Sequence, residues 1–383
     1  MRNRILVVLA VAALSFGPGV QALDSLAWSA DHFGVDHPLS NGQVRNIADR
    51  SIWSWGHDNN APQVQYIRPT DENPDPAQPS LEPYMLWNTP QDIRVLRLFA
   101  DWNWGGWITN ICVDTLAPGC DVNDPNSWVW VERYDSSDFG ALAQVLVHGV
   151  DLGQAYTTAG LRVRVTYGTP PGGDNRRSLG EMDVFGDIGG TLESQQVKPS
   201  STGWLASSNI GGAGASGLDS LGQYRWLSQS IAANIDAGHD FFFVDRTFST
   251  PEDINLLSIA WRANSDNGDR AIPSYWVVQY QTEDSQGWLN AGTFYSELNI
   301  NGAVSKWYYN DLGDLTGVTG LRIMVPYDAM PTVWDGDLEA FVPVSSNGIG
   351  IHLTETFNIH PIPEPATMSL LALGGLALLR RRR

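Results

Sequence analysis

The run Leu161-Arg162-Val163-Arg164-Val165 alternates apolar and charged residues without a break. Alternation with a period of two is the mark of a strand with one face buried. It puts the two arginines on one face and the aliphatics on the other. Ile93-Arg94-Val95-Leu96-Arg97-Leu98-Phe99 mixes apolar residues with two arginines in the same way, and Tyr275 to Tyr280 is aromatic and β-branched, as strands prefer. Clusters of Gly, Pro, Asn and Asp separate these runs. No long segment keeps a helical period. Many short strands with irregular connections predict an all-β chain of antiparallel sandwiches.

The pattern occurs twice. Trp87 to Ile93 resembles Phe248 to Ile254, and Gly160 to Tyr167 resembles Gly320 to Tyr327. Val131 to Tyr134 resembles Val277 to Tyr280, and Gly180 to Phe185 resembles Gly336 to Phe341. Four matches in one order, with drifting offsets, are what a duplicated domain with loop insertions leaves behind. The expected layout is a leader over 1–22, a first sandwich over 23–192, a second over 193–345, a linker over 346–362 and a terminal segment over 363–383.

The two ends read as addresses. Arg2 and Arg4 precede an apolar run from Ile5 to Leu14, and Val20-Gln21-Ala22 offers a small-x-small cleavage site, as in a secretory signal peptide. At the other end, Pro363-Glu364-Pro365 is followed by an apolar stretch from Ala366 to Leu379 and then by Arg380, Arg381, Arg382 and Arg383. Fourteen residues make a helix of about 21 Å, shorter than the ~30 Å hydrocarbon core. Flanking residues and local thinning would close the gap, with the arginines held on the cytoplasmic side. This terminal pattern resembles the PEP-CTERM sorting signal. The resemblance implies a Gram-negative host, processing by signal peptidase and by an exosortase, transient membrane anchoring through the C-terminal helix, and delivery to the cell surface or the extracellular polysaccharide matrix.

The chain of 383 residues has a formal net charge of −19. Without both end segments it holds 17 basic and 41 acidic residues, a balance of −24. Such a surface repels phosphate backbones, so nucleic acid is excluded as a partner. Cys112 and Cys120 are the only cysteines, and in an oxidising compartment a nearby pair is expected to form a disulfide.

The order of motifs in the body carries a second resemblance. Trp276 to Gln281, a polar turn, Trp288, then Gly320-Leu321-Arg322-Ile323 and Asp337-Leu338-Glu339 are similar to discoidin-like domains and the wider galactose-binding-like jelly rolls. The first copy offers Trp130 to Tyr134, Leu161-Arg162-Val163 and Glu181-Met182-Asp183. The terminal cysteine pair of many discoidin domains is missing from both copies. The resemblance implies two tandem jelly rolls, and loops at one end of each that could bind glycans.

The aromatic segment Asp101-Trp102-Asn103-Trp104-Gly105-Gly106-Trp107 follows a predicted strand. An indole beside Asp and Asn suits a sugar, whose apolar face stacks while its hydroxyls bond. Two readings stay open for Asp101, Trp102, Asn103, Trp104 and Trp107: ligand stacking, or packing on the core. Calcium is the one cofactor the acidic loops could take, at Asp121 and Asp124 or at Asp266 and Asp269, although neither run has helix-loop-helix spacing. Gly212 to Gly217 matches a dinucleotide fingerprint but has no helix after it. No Gly-x-Ser-x-Gly elbow or His-Glu-x-x-His pair occurs. The sequence therefore predicts an exported, non-enzymatic protein that is adhesive or carbohydrate-binding. A structural matrix protein without a small ligand and a glycan-active hydrolase are the alternatives.

Overall fold

The structure is a computed structural model. It describes residues 24–35, 39–41, 47–48, 68–69, 81–100, 107–135, 147–168, 179–189, 204–207, 226–262, 271–296, 305–335, 340–344 and 347–359. The expected signal peptide, the Gly212–Gly217 run and the terminal segment from Pro363 lie outside these residues.

The first sandwich begins with β1 (His32–Val35); β2 (Leu39–Asn41) and β3 (Arg68–Pro69) pair with each other. Its main strands are β4 (Pro83–Ala100), β5 (Trp107–Leu116), β6 (Trp128–Asp135), β7 (Val147–Gly168) and β8 (Leu179–Phe185). Their order is β1-β4-β7-β5-β6, with β8 on the other edge of β4. The second sandwich has β9 (Trp204–Ala206), β10 (Trp226–Leu227), α1 (Ile231–Asp236), β11 (Phe241–Arg262), β12 (Tyr275–Thr282), β13 (Leu289–Tyr295) and β14 (Ser305–Pro326). β15 (Thr332–Asp335) and β16 (Ala340–Pro343) form a separate hairpin, and β17 (Gly350–Phe357) closes the chain. The order β9-β11-β14-β12-β13, with β17 beside the second half of β11, repeats the six strands of the first sheet, and β10 adds a seventh on β17. Every described ladder is antiparallel. The six-residue α1 is the only α-helix among the described residues.

The duplication is thus real, but two of the four sequence matches join strands that are not equivalent. Val131–Tyr134 lies on β6, whereas Val277–Tyr280 lies on β12, the counterpart of β5. Gly180–Phe185 lies on β8, whose counterpart is β17 and not the β15–β16 region. The stretch expected as a linker, 346–362, holds that strand. β17 alternates weakly, because Thr354, Glu355, Thr356 and Phe357 are all buried, and a strand covered on both faces loses its period of two.

A feature the sequence reading overlooked marks the duplication better. Val95 pairs with Asp151 and Leu256 with Asp311. Each aspartate opens an Asp-Leu-Gly triplet whose glycine has positive φ, +75° at Gly153 and +66° at Gly313. Each glycine N–H donates to the aspartate Oδ1, at 2.9 and 2.8 Å. The register slips there in both copies, so the long ribbons β4–β7 and β11–β14 bulge and fold over. Folding each ribbon in half makes the two layers of its sandwich. A Cβ at Gly313 would meet nothing within 4 Å, so only backbone conformation opposes a side chain. We expect Gly313→Val to cost about 1–2 kcal/mol, read by thermal unfolding. Gly287→Ala, also in open space but without positive φ, should leave Tm unchanged.

Each sandwich has its own core. Leu96, Leu98, Leu161, Val163, Val165, Met182 and Val184 lie in the first, and Val244, Leu257, Ile259, Trp261, Trp276 and Ile323 in the second. The predicted alternation holds at Leu161–Val165: the three aliphatics are fully buried, and Arg162 and Arg164 face outward, both held by Asp114. β4 departs from it because its second face is covered too. Val95 and Phe99 join Phe185, Leu256, Ala260, Trp307, Tyr309 and Phe357 in a third apolar cluster, which is the seam between the sandwiches.

Arg97 sits at the centre of that seam. It is fully buried, donates to Glu355 and, at 3.1 Å, to Tyr309 Oη, and its guanidinium stacks 4.8 Å from both the Phe99 and the Trp307 rings. Tyr309 in turn donates to Asp183, and Ser258 Oγ to Glu355 at 3.2 Å. Burial is the largest influence on the Arg97 pKa and pulls it down, but the charges and hydrogen bonds of Glu355 and Tyr309 together outweigh it and the net shift is upward. Burial, and then Asp183, push the Tyr309 pKa well above its ordinary value, so it stays a neutral donor.

The expected Cys112–Cys120 disulfide does not form; both thiols are free. Cys112 lies in the middle of β5, opposite Arg133 and Arg164. The four residues from Cys112 to Leu116 carry the strand about 13 Å away, and Cys120 lies in the turn beyond. A bridge needs Cα atoms within about 7 Å. Burial pushes the Cys112 thiol pKa up, against the pull of Arg164 and Arg133.

Candidate functional site

The strand ends of each sandwich gather at two opposite ends. In the first, the end of β4 pairs with the starts of β7 and β8, and the start of β5 pairs with the ends of β6 and β7. The connections 101–106, 136–146 and 169–178 therefore all leave from one rim. Asp101, Trp102, Asn103 and Trp104 belong to these connections and lie outside the described residues. Trp107 opens β5 at this rim, so the strand position fits a loop-end site, but its side chain is not among those described.

The described part of the equivalent rim of the second sandwich carries tyrosines. Tyr275, the first residue of β12, pairs across the hairpin with Tyr295, the last of β13. Their rings lie 6.1 Å apart at 39°. Tyr295 is 70% exposed, a value that leaves a ring face open to a ligand. Tyr275 Oη donates to Asp328 Oδ1 at 2.5 Å, from the short 3-10 turn that follows β14. Backbone bonds brace the rim: Ser274 N–H donates to Ala329 O at 2.7 Å, and Ser296 N–H to Ser274 O at 2.9 Å. An open aromatic face next to a fixed carboxylate can stack on a sugar and accept from its hydroxyls.

The hydrogen bond to Asp328 pushes the Tyr275 pKa up to about 12. A folded pKa above the unfolded value of about 10 means the bond contributes below pH 10 and is lost as pH rises toward 12. In an ultraviolet phenolate titration Tyr309 and Tyr327 also ionise late, and we expect Asp328→Asn to return one tyrosine of the late group, Tyr275, toward pH 10. An unchanged titration in that variant would refute the contact.

A second constellation recurs in both sheets. Arg162 stacks 4.7 Å from the Trp128 ring, and Arg322 lies 4.3 Å from Trp288. Each arginine is also held by a carboxylate, Asp114 from β5 in the first copy and Asp245 from β11 in the second. The guanidinium covers one face of each indole, so these pairs brace the sheet and offer less to a ligand than Tyr295. Among the described residues Trp130, 60% exposed on the edge strand β6, is the other open aromatic.

The acidic loop of the first copy satisfies itself. Asp121 Oδ1 accepts from Asn123 N–H at 2.9 Å, and Asp124 Oδ1 from Asn126 N–H at 3.0 Å, capping a 3-10 turn. Among the described residues no group of His, Cys, Asp or Glu is assembled to hold a metal ion. Asp266 and Asp269 lie outside the described residues. The sequence pointed to Tyr275 only as a strand residue. Its pairing with Tyr295 and Asp328 depends on hairpin register, which composition does not encode.

Residues 361–383 match the family described as the PEP-CTERM protein-sorting motif. No curated protein sequence matches the chain. Among solved structures it is similar to the CBM32-1 and CBM32-2 domains of Clostridium perfringens ZmpB, at 8% identity over 87% of this chain and 93% of that one, with a TM-score of 0.32. A longer ZmpB structure that includes the M60 catalytic domain aligns at 7% identity over 87% of this chain, with a TM-score of 0.31; this chain spans 38% of its length. Allantoicase from Saccharomyces cerevisiae aligns at 10% identity, over 88% of this chain and 93% of that one, with a TM-score of 0.30. Among the described residues no helix is long and apolar enough to cross a membrane. The chain is an exported protein that carries a PEP-CTERM sorting motif behind two antiparallel β-sandwiches.

Proposed function

We propose that this protein is an adhesive, carbohydrate-binding component of the cell surface or extracellular matrix, sorted by an exosortase-type system after signal-peptide removal. The rim of the second sandwich carries this reading: the open Tyr295 ring, its neighbour Tyr275 and the carboxylate of Asp328. The sorting motif at 361–383 supports the destination, and the galactose-binding-like motif order supports the ligand class. The chemistry of the rim is binding chemistry. Stacking on tyrosine needs no ionised group and tolerates many neutral sugars, and the acidic surface disfavours anionic ones. This chemistry supports adhesion as the role.

A glycan array probed with residues 23–362 tests this. Retention of neutral, galactoside-bearing glycans, reduced at least tenfold in Tyr295→Ala, supports the proposal. Retention that persists in Tyr295→Ala but falls in Trp104→Ala would move the site to the first rim. No retention at all would favour a structural matrix protein without a small ligand, and release of printed sugar would favour a hydrolase.

A further inference from the structure

The last strand fixes the end from which the sorting segment leaves. β17 runs antiparallel to β11, with Ile351 opposite Trp261 and Phe357 opposite Leu256. It starts near the tyrosine rim and finishes at the opposite end, beside the Asp311–Gly313 bulge. The chain is tied down two residues further on. Ile359 is 7% exposed within the seam, and its N–H donates to Asn255 Oδ1 at 2.7 Å. Pro363 follows four residues later.

The first sandwich points the same way. Phe99, next to its rim, packs 4.7 Å from Trp307, which is next to the second rim. Arg97, one step further down β4, meets Tyr309 and Glu355, and Phe185, at the far end of β8, packs 5.2 Å from Tyr309. The order of contacts is the same along both strands, so β4 and β11 run in the same sense. Both rims therefore lie on one side of the molecule. The opposite end carries the exposed carboxylates of Asp92, Asp253, Asp311 and Asp314, together with Asp187, which pairs with Arg94 at 2.7 Å.

We infer that, while the sorting segment is attached, the body stands with its aspartate-lined end toward the membrane and both loop ends facing away from it. This rests on the reading of residues 363–383 as a membrane-directed segment. The leash from Ile359 to Ala366, where the apolar stretch begins, reaches at most about 25 Å. The eight residues of β17 alone span about 26 Å, so the leash is too short to bring the rim down to the surface. An aspartate-lined face does not adhere to anionic headgroups, so the body stands off. The surface left for a partner is the outward pair of rims, which fits an extended polymer approached from outside.

Energy transfer on the full chain in phosphatidylcholine vesicles carrying a headgroup acceptor dye tests this. A donor is placed on Ser296→Cys, at the rim, or on Asp314→Cys, at the far end, with Cys112→Ser and Cys120→Ser in both. The far-end donor is expected to be quenched several-fold more than the rim donor. Insertion of twenty Gly/Ser residues between Ile359 and Pro363 should erase most of the difference. Equal quenching without the insertion, stronger quenching at the rim, or a chain that does not float with the vesicles would each overturn the inference. None of these readouts involves a glycan, so a negative array leaves the orientation standing and a negative vesicle result leaves the array standing.

Discussion

Replacing Arg97 with Met is expected to be the most damaging surface-neutral change in the protein, at about 3–5 kcal/mol. The side chain is fully buried between the two sandwiches. Its removal leaves Glu355 in an apolar seam with the Ser258 hydroxyl as its remaining donor among the described residues, and takes a guanidinium from beside the rings of Phe99, Trp307 and Phe357. The cost comes from the orphaned carboxylate more than from the lost attraction. The double variant Arg97→Met with Glu355→Leu should therefore recover most of the stability, since an apolar pair of similar volume replaces a buried ion pair at little net cost. Calorimetry separates this from a generic packing defect. The parent is expected to unfold in one transition, because the seam couples the sandwiches. Arg97→Met should split it into two, and the double variant should restore one. A single unshifted transition in Arg97→Met would show that the seam contributes nothing.

Trp276→Ala is expected to cost a comparable 3–5 kcal/mol, by a different route. Trp276 is fully buried within the second core, 5.2 Å from Trp261 and 5.0 Å from Tyr308. Its Nε1–H donates to Asn310 Oδ1 at 3.1 Å, while Asn310 Nδ2 donates to Leu257 O at 2.9 Å. Ala would leave a cavity and an unsatisfied amide together. Phe keeps most of the volume and loses only the bond, so Trp276→Phe should cost about 1–3 kcal/mol. Chemical denaturation of both variants reads the difference, and equal losses would contradict the division. Because Tyr275 adjoins Trp276, the Ala variant should also delay less the late tyrosine ionisation at the rim. Arg97→Met should leave that ionisation alone.

Much of the fold was legible because it rests on local periodicity. Leu161 to Val165 had to be a one-sided strand, and it is. The repeat of Gly160–Tyr167 at Gly320–Tyr327 joined equivalent strands because a long run of alternating residues under a sheet constraint keeps its pattern. The short matches at Val131 and Gly180 misled, since three or four strand-like residues resemble any other strand. The Asp-Leu-Gly triplets at 151–153 and 311–313 were in plain view. Their importance came from positive φ and a register slip, neither of which composition announces. The disulfide failed for a related reason. Eight positions of sequence separation look close, but an extended strand converts half of them into distance.

The candidate site was half legible. Aromatic density pointed to the first rim, at Trp102 to Trp107. The second rim depends on Tyr275, Tyr295 and Asp328, which lie 20 and 33 positions apart and meet only through hairpin register and the turn after β14.

By itself the sequence determined the all-β class, the duplication, the acidic charge and the C-terminal sorting address, because each is a property of short windows or of totals. Tertiary structure decided the rest. It turned an expected linker into the closing strand, buried Arg97, Glu355, Asp183 and Tyr309 in a seam between copies, and set both rims on one side. Those outcomes come from contacts between distant residues, from Trp261 with Ile351 to Arg97 with Glu355, and no local pattern carries the free energy that selects them.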